Sequence, residues 1–333
     1  MQSRTGLLFS VVIFIFVSLI LSVFKPAAFA NPVTLKLFTF LPDIPPENVP
    51  IHMFMDKVNQ KAAGQLVVQY GGGPDAIAPQ DLAGATQKGV VSLACHIMSL
   101  ADAVVPGARV IIHNELPLKE FRARAQDYIQ GMFNEAGLYY LGLSHAVEPQ
   151  TFNNLFSIKK PITKPEDFAG LTMASPSPLA FPLYRALNAN PVFIPLHNYF
   201  VAAERGVIGG FVGTVGLVVQ TGLHRVTKYV VDHNIHSSPD IFMMNLEAWK
   251  KLPKNLQDIM TEAAIEVEQE YPSYRKKEVL EYRKKMKEAG VEFVKFSPAD
   301  AKRFLDLNRD ASWAAEMKNS PERVAKLKEL ITK

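Results

Sequence analysis

Few side chains in this 333-residue chain are spaced for chemistry. The stretch Asp232-His233-Asn234-Ile235-His236, with Asp240 close behind, comes nearest to a metal site. Two imidazoles and two carboxylates suit zinc, but histidines three apart need a helix to share a face, and no helix is evident there. A solvated or inter-domain loop is preferred over a metal site. Cys95 and His96 are adjacent in an apolar, strand-like run. Neighbours on a strand point to opposite faces, so they are no nucleophile–base pair. No Gly-x-Ser-x-Gly elbow occurs. The glycine-rich GGGPDAIAP (71–79) lacks the Gly-Lys-Ser/Thr of a phosphate loop and the GxGxxG of a dinucleotide site. It fits a flexible strand-end loop bordering a cleft. His52, His113, His145, His197 and His224 stand singly and read as structural or surface residues. No catalytic group, metal or cofactor is expected, and the chain is not read as an enzyme.

The elements that would position these residues follow a repeated rhythm. Residues 33–40 alternate as a strand, 48–63 carry helical apolar spacing ended by Gly64, 65–70 are β-rich, 79–88 helical and 90–96 the next strand. The rhythm returns at 171–175, 179–187, 190–194, 197–205 and 207–212. Alternating strands and helices imply parallel, doubly wound sheets. Two α/β units of similar build therefore face each other as a clamshell. A long helical region follows Leu252-Pro253, and Pro272 is expected to kink or break it. Ser297-Pro298-Ala299-Asp300 resembles a helix start, with an N-cap serine and N1 proline. The dense charges of 276–290 read as a solvated helix face.

Hydrophobic residues make up 48% and charged residues 20%, which indicates a packed globular chain. The net charge of +4 is small and its cations are interleaved with acids, so nucleic-acid binding has no support. Arg4, an apolar run over 6–24 and the ending Ala28-Phe29-Ala30 make a secretory signal over 1–30, cleaved before Asn31. The apolar run is also long enough for an uncleaved membrane anchor. Cys95 is the only cysteine, which leaves no internal disulfide.

On the segments KKPITKPEDFAGLTM (159–173), ALNANPVFIPLHNYFVAAERGVIGG (186–210), HRVTKYVVD (224–232) and NLEAWKKLPKNLQDIMTEAAIEVE (245–268), the chain resembles the solute-binding proteins of tripartite ATP-independent periplasmic (TRAP) transporters. The resemblance covers nearly all of the chain beyond the signal. It implies a two-lobed periplasmic-binding-protein clamshell, α/β in class, each lobe a mostly parallel sheet with flanking helices and a long C-terminal helix bridging the two. Lobe I takes 31–147 with 237–272, and lobe II takes 148–236 with 273–333. Such proteins reside in the periplasm, capture a small organic solute, usually an acid, and deliver it to the TRAP membrane permease subunits. A monomer and a dimer are both compatible with the sequence.

Two departures from the family pattern bear on the ligand. The strand after PEDFAG carries Thr172-Met173-Ala174 where the family commonly has Lys-Ile-Arg, so Ala174 stands at the carboxylate-binding arginine. Gly209 replaces a usual aspartate, with Gly213 and Thr214 near the next contact position. Three readings follow. A carboxylate could be held by His96, His145 or His197 with the hydroxyls of Ser175, Ser177 and Thr214 and helix-end N–H groups. A neutral or apolar solute would suit Met98, Ala174, Phe211 and Val212. A sensor or scaffold would feed no transporter, and an exported enzyme is the remaining alternative. The second reading is preferred, because an unpaired carboxylate in a closed cleft is costly. The first lobe then contributes Phe40, Asp75, His96 and Met98. The crossing contributes His145 and Gln150, and the second lobe Ala174, Ser175, Ser177, His197, Phe211, Gly213 and Thr214. Closure is expected about 149–160 and 233–239.

Overall fold

The computed structural model describes residues 32–41, 43, 48–144, 153–236, 239–318 and 320–333. The expected signal, His145 and Gln150 lie outside the described residues. In chain order the strands are β1 (Val33–Thr39), β2 (Leu66–Gly72), β3 (Leu93–Ile97), β4 (Leu138–Leu143), β5 (Asn154–Ser157), β6 (Thr172–Ser175), β7 (Asn190–Phe193), β8 (Gly210–Gly213), β9 (Tyr229–Val231), β10 (Asp240–Asn245) and β11 (Glu292–Val294). The helices are α1 (Val49–Ala62), α2 (Pro79–Gln87), α3 (Met98–Ala101), α4 (Leu118–Glu135), α5 (Phe181–Ala186), α6 (Tyr199–Glu204), α7 (Val215–Gln220), α8 (Leu246–Lys250), α9 (Lys254–Glu288), α10 (Pro298–Glu316) and α11 (Pro321–Ile331).

The strands form two sheets, ordered β2-β1-β3-β10-β4 and β11-β9-β5-β8-β6-β7. Each is the floor of one lobe. The β1–β2 and β1–β3 pairs are parallel, as the strand–helix rhythm requires, whereas β10 runs antiparallel between β3 and β4. In the second sheet β5 is antiparallel to both β8 and β9. The reversed strands are the ones that carry the chain from one lobe into the other.

Local sequence explains the edges of these elements. In α1 the stripe Ile51, Phe54, Met55 and Val58 is buried, and the helix stops where Ala63 and Gly64 turn left-handed, at φ 45° and 85°. Ser297 Oγ accepts from Asp300 N at 3.2 Å, the expected cap of α10. The first sheet is covered on both faces. On β10, Phe242 and Met244 join Phe54 and Met260 in one apolar cluster, while Ile241 and Met243 join Ile129 and Phe133 in the other. This burial explains why β10 reads as a continuous apolar run and not as an alternating one.

Helix α9 does not break at Pro272, for it runs from Lys254 to Glu288 through that residue. Ahead of Pro272, Met260, Val267 and Tyr271 are buried on the first lobe. Beyond it, Val279, Tyr282 and Met286 pack on the second. An internal proline costs about 3 kcal/mol in a helix, and burying one large apolar side chain returns about 1.5–3 kcal/mol, so packing at both ends holds the helix together. Helix α10 packs on α5, and α11 returns to the first lobe against α4. Among the described residues no helix is long and apolar enough to cross a membrane.

Candidate functional site: a cleft between opposed strand ends

Register places one edge of each sheet against the other. In the first sheet Thr39 lies beside Cys95, Ile97 beside Asp240 and Ile241 beside Leu143, so β1, β3 and β4 end at the edge where β10 begins. In the second sheet Asn154 lies beside Gly213, Leu155 beside Val231 and Ala174 beside Phe211, so β6, β8 and β9 end where β5 begins. The two crossings connect these edges and bond to each other. Ser144 N donates to Asp240 O at 2.7 Å, Asn153 N to His236 O at 2.8 Å and Ile235 N to Asn153 O at 3.1 Å. A cleft at the carboxyl ends of strands is where open α/β sheets take ligands.

The lobes touch across this cleft. Leu179, directly after residues 170–178 (GLTMASPSP), packs with Phe40 and Ile77 against the first lobe's cluster, which includes Met98. Sequence reasoning passed over Leu179. Its signal was an apolar side chain presented directly after a proline-braced, uncharged loop.

His96 is the most informative group at this edge. It is fully buried at the end of β3, with Phe40 edge-on to its ring at 5.8 Å. Neither ring nitrogen has a partner among the described residues. Burial lowers its pKa to about 4, so the imidazole is neutral at pH 7. An unpaired buried polar atom costs about 1–3 kcal/mol, which a hydrogen-bonding ligand would offset. Cys95, one residue earlier, belongs to the opposite face and packs as a buried hydrophobe. Met98 is buried as well, its N–H reaching Pro239 O at 3.4 Å, while Asp75 stands exposed in the loop after β2.

In the second lobe the expected contacts divide differently. The hydroxyls of Ser175, Ser177 and Thr214 are already engaged. Ser175 Oγ donates to Ser177 O, Ser177 Oγ accepts from Leu179 N at 3.4 Å, and Thr214 Oγ1 caps α7 by accepting from Leu217 N at 3.1 Å. They brace the cleft's rim. Ala174 and Phe211 are fully buried in a cluster with Phe156 and Tyr199, where Phe156 and Phe211 stack at 5.1 Å. The Ala174 carbonyl accepts from the Tyr184 hydroxyl at 2.9 Å. Tyr199, not singled out from the sequence, keeps an enclosed hydroxyl without a partner among the described residues, and burial raises its pKa. His197 lies in the 3₁₀ turn Leu196–Asn198 and Gly213 ends β8.

The Asp232–His236 stretch is taken up by separate structural tasks. Arg283 grips Asp232 with two bonds of 2.9 and 2.8 Å, and His233 Nε2 accepts from Phe296 N at 2.9 Å. His236 is buried, and burial lowers its pKa to about 4. Among the described residues no group of three or more His, Cys, Asp or Glu could hold a metal ion.

The family model described as bacterial extracellular solute-binding protein, family 7, matches residues 112–315. An uncharacterized protein of Haemophilus influenzae is 35% identical over 111 residues, covering 33% of this chain and 34% of that protein. The chain thus spans well under half the length of the curated relatives it matches, at 34%, 44% and 41%. Among solved structures, a TRAP periplasmic solute-binding protein from Desulfovibrio salexigens with bound orotic acid aligns with a TM-score of 0.76 at 18% identity, covering 90% of this chain and 97% of that one. A Bordetella pertussis extracytoplasmic solute receptor binding pyroglutamic acid aligns at 0.75 and 16% identity, over 90% and 100% of the two chains. These structures share the two-lobed fold.

Proposed function

The chain belongs to the bacterial extracellular solute-binding proteins of family 7, and from that membership we propose that it is the periplasmic solute receptor of a TRAP-type transporter. It captures a small organic solute between its lobes and releases it unchanged to the membrane permease subunits. The carrying observation is the buried, neutral His96 beside Phe40 at an edge where two sheets oppose their strand ends.

The solute we favour carries no net negative charge. Among the described residues of the strand-end stretches 40–43, 71–79, 96–107, 153–154, 175–183, 193–199, 213–219, 231–236 and 239–240 there is neither lysine nor arginine, and several stretches contain acids. A carboxylate buried there would meet no cation, and charge-assisted pairing is what usually offsets its desolvation. A neutral molecule with an apolar face for Phe40 and one polar atom for His96 meets no such cost. Closing Leu179 over the first lobe then shuts out water, with contacts to both lobes favouring the closed arrangement.

A thermal-shift series tests this, with neutral and aromatic solutes set beside carboxylates of matching size, on the chain from Asn31. A ligand at 100 times its Kd adds about 2.7 kcal/mol of stability. Stabilisation by neutral solutes, abolished in His96→Leu, is expected. Stabilisation by carboxylates alone would overturn the charge reading while leaving the receptor reading intact.

A further inference from the structure

A concave space, partly open to solvent, lies away from the Phe40–His96 edge. It is a pocket of about 430 Å³ walled by 112–117 of the first lobe, 234–236 of the crossing, Asn308, Arg309 and Trp313 of α10, and Lys333. It shares only the crossing segment with the cleft. Beside it, Arg109 holds Glu316 at the end of α10 with bonds of 2.9, 3.1 and 2.8 Å. That grip lays α10 against the 3₁₀ turn Ala108–His113.

Two residues of its wall hold a nitrogen that is shut off from solvent and has no partner among the described residues. Trp313 is only 3% exposed, and its Nε1–H has no acceptor. His113 Nε2 is enclosed and unpaired 5.2 Å away, ring centre to ring centre. Burial, with the nearby His236 and Arg109, lowers the His113 pKa to about 3, so the ring is neutral and carries one N–H. Three other polar side chains of the wall are engaged, and Glu115 accepts from the Lys333 backbone N–H at 3.3 Å. Asn308 Nδ2 donates to Ile235 O at 2.6 Å, Asn114 braces Leu116, and Arg309 is neutralised by Asp306 and Asp310 at 2.9 and 3.0 Å. An indole N–H can only donate, so the missing partner is an acceptor.

We propose that this pocket is a second ligand site, separate from the cleft, for a small molecule presenting a carbonyl or carboxylate oxygen to the Trp313 indole N–H and the His113 imidazole. Arg309 is paired with acids and the wall carries both Glu115 and Lys333, so amide and carboxylate forms share the same recognition chemistry. Because the walls come from the first lobe, the crossing and α10, occupancy favours the lobe arrangement that assembles them. It would thereby couple to solute capture.

Trp249 and Trp313 are the only tryptophans, so Trp249→Phe leaves Trp313 as the sole emitter. Acetamide and acetate are titrated separately into this variant, and Trp313 emission is followed. A saturable change with either probe is expected, retained in His96→Leu and weakened about tenfold in His113→Phe, the loss of one hydrogen bond. The arm that responds identifies the amide or the carboxylate form. Leu305, 39% exposed at the pocket wall, gives a second variant. Leu305→Phe narrows the space and should weaken binding even if His113→Phe does not fold. The absence of any saturable change, meaning an ordered water only, overturns the proposal. So does a response lost in His96→Leu but kept in both pocket variants, which would place the probe in the cleft.

Discussion

The Arg122 guanidinium of α4 closes on the Glu268 carboxylate of α9, its Nε at 2.8 Å, directly under Gly142 of β4. A Cβ at Gly142 would lie 3.3 Å from Arg122 Nη2, and the backbone there takes φ 153°, so both the space and the conformation call for glycine. The pair ties α9 to α4, and Glu268 also bonds the Leu143 backbone of the strand from which the first crossing departs. Burial pushes the Glu268 carboxyl up to about 7 while Arg122 pulls it down.

Glu268 should therefore make stability depend on pH. Its folded pKa lies above the ordinary carboxyl value, so the folded state binds the proton more tightly. The contribution is complete below the unfolded pKa and is lost as pH rises toward 7, a change of about 3 kcal/mol. The buried His96, His113 and His236 act in the opposite sense. Their lowered pKa values remove stability as pH falls from the ordinary histidine range toward 4. The measurement is thus the difference in unfolding free energy between wild type and Glu268→Gln, which should shrink with rising pH. A difference independent of pH would refute the assignment.

His96→Leu separates structure from recognition. Replacing an unsatisfied buried imidazole by an apolar side chain should leave the melting temperature unchanged or raise it. The solute-induced shift should vanish. A variant that both melts lower and still responds to solute would make His96 a packing residue only.

Leu179→Ala should act on closure and not on the folding of either lobe. The side chain is partly buried between lobes, and its truncation removes about 1–2 kcal/mol from the closed arrangement. Solute affinity should fall about tenfold with little change in the unliganded melting temperature. Calorimetric titration set beside scanning calorimetry distinguishes this from general destabilisation.

Pro272→Ala restores an N–H inside α9 and should raise stability by about 1–3 kcal/mol, read from denaturant midpoints. A lower midpoint would mean that the proline ring's own packing outweighs the helix term.

The doubly wound plan was legible because each strand–helix joint carries its own punctuation, as at Gly64, Gly89 and Gly206. The reversed strands were not. β5 and β10 have ordinary strand composition, and their direction is fixed by where the crossings carry them, a relation no local pattern encodes. Pro272 misled for a related reason, since local propensity favours a break while two lobes hold the helix from either side. At the candidate cleft, Phe40 and His96 were expected at strand ends, and both lie there with their rings in contact. Ser175, Ser177 and Thr214 were read as ligand contacts although serine and threonine at such turns cap their own backbone first. His113 and Trp313 gave no signal, for their significance lies in what the fold leaves unpaired.

The insertion of β10 between β3 and β4 bears on how the molecule is made. Synthesis delivers β3 and β4 early, but the strand that joins them arrives only after β5–β9 of the second sheet have emerged. Until then the first sheet has an open seam, and closing it is a long-range event of the kind that folds slowly. A nascent chain of this design keeps that seam open until β10, ending at residue 245 of 333, has emerged. A late-closing seam would suit the export that the proposed periplasmic role requires.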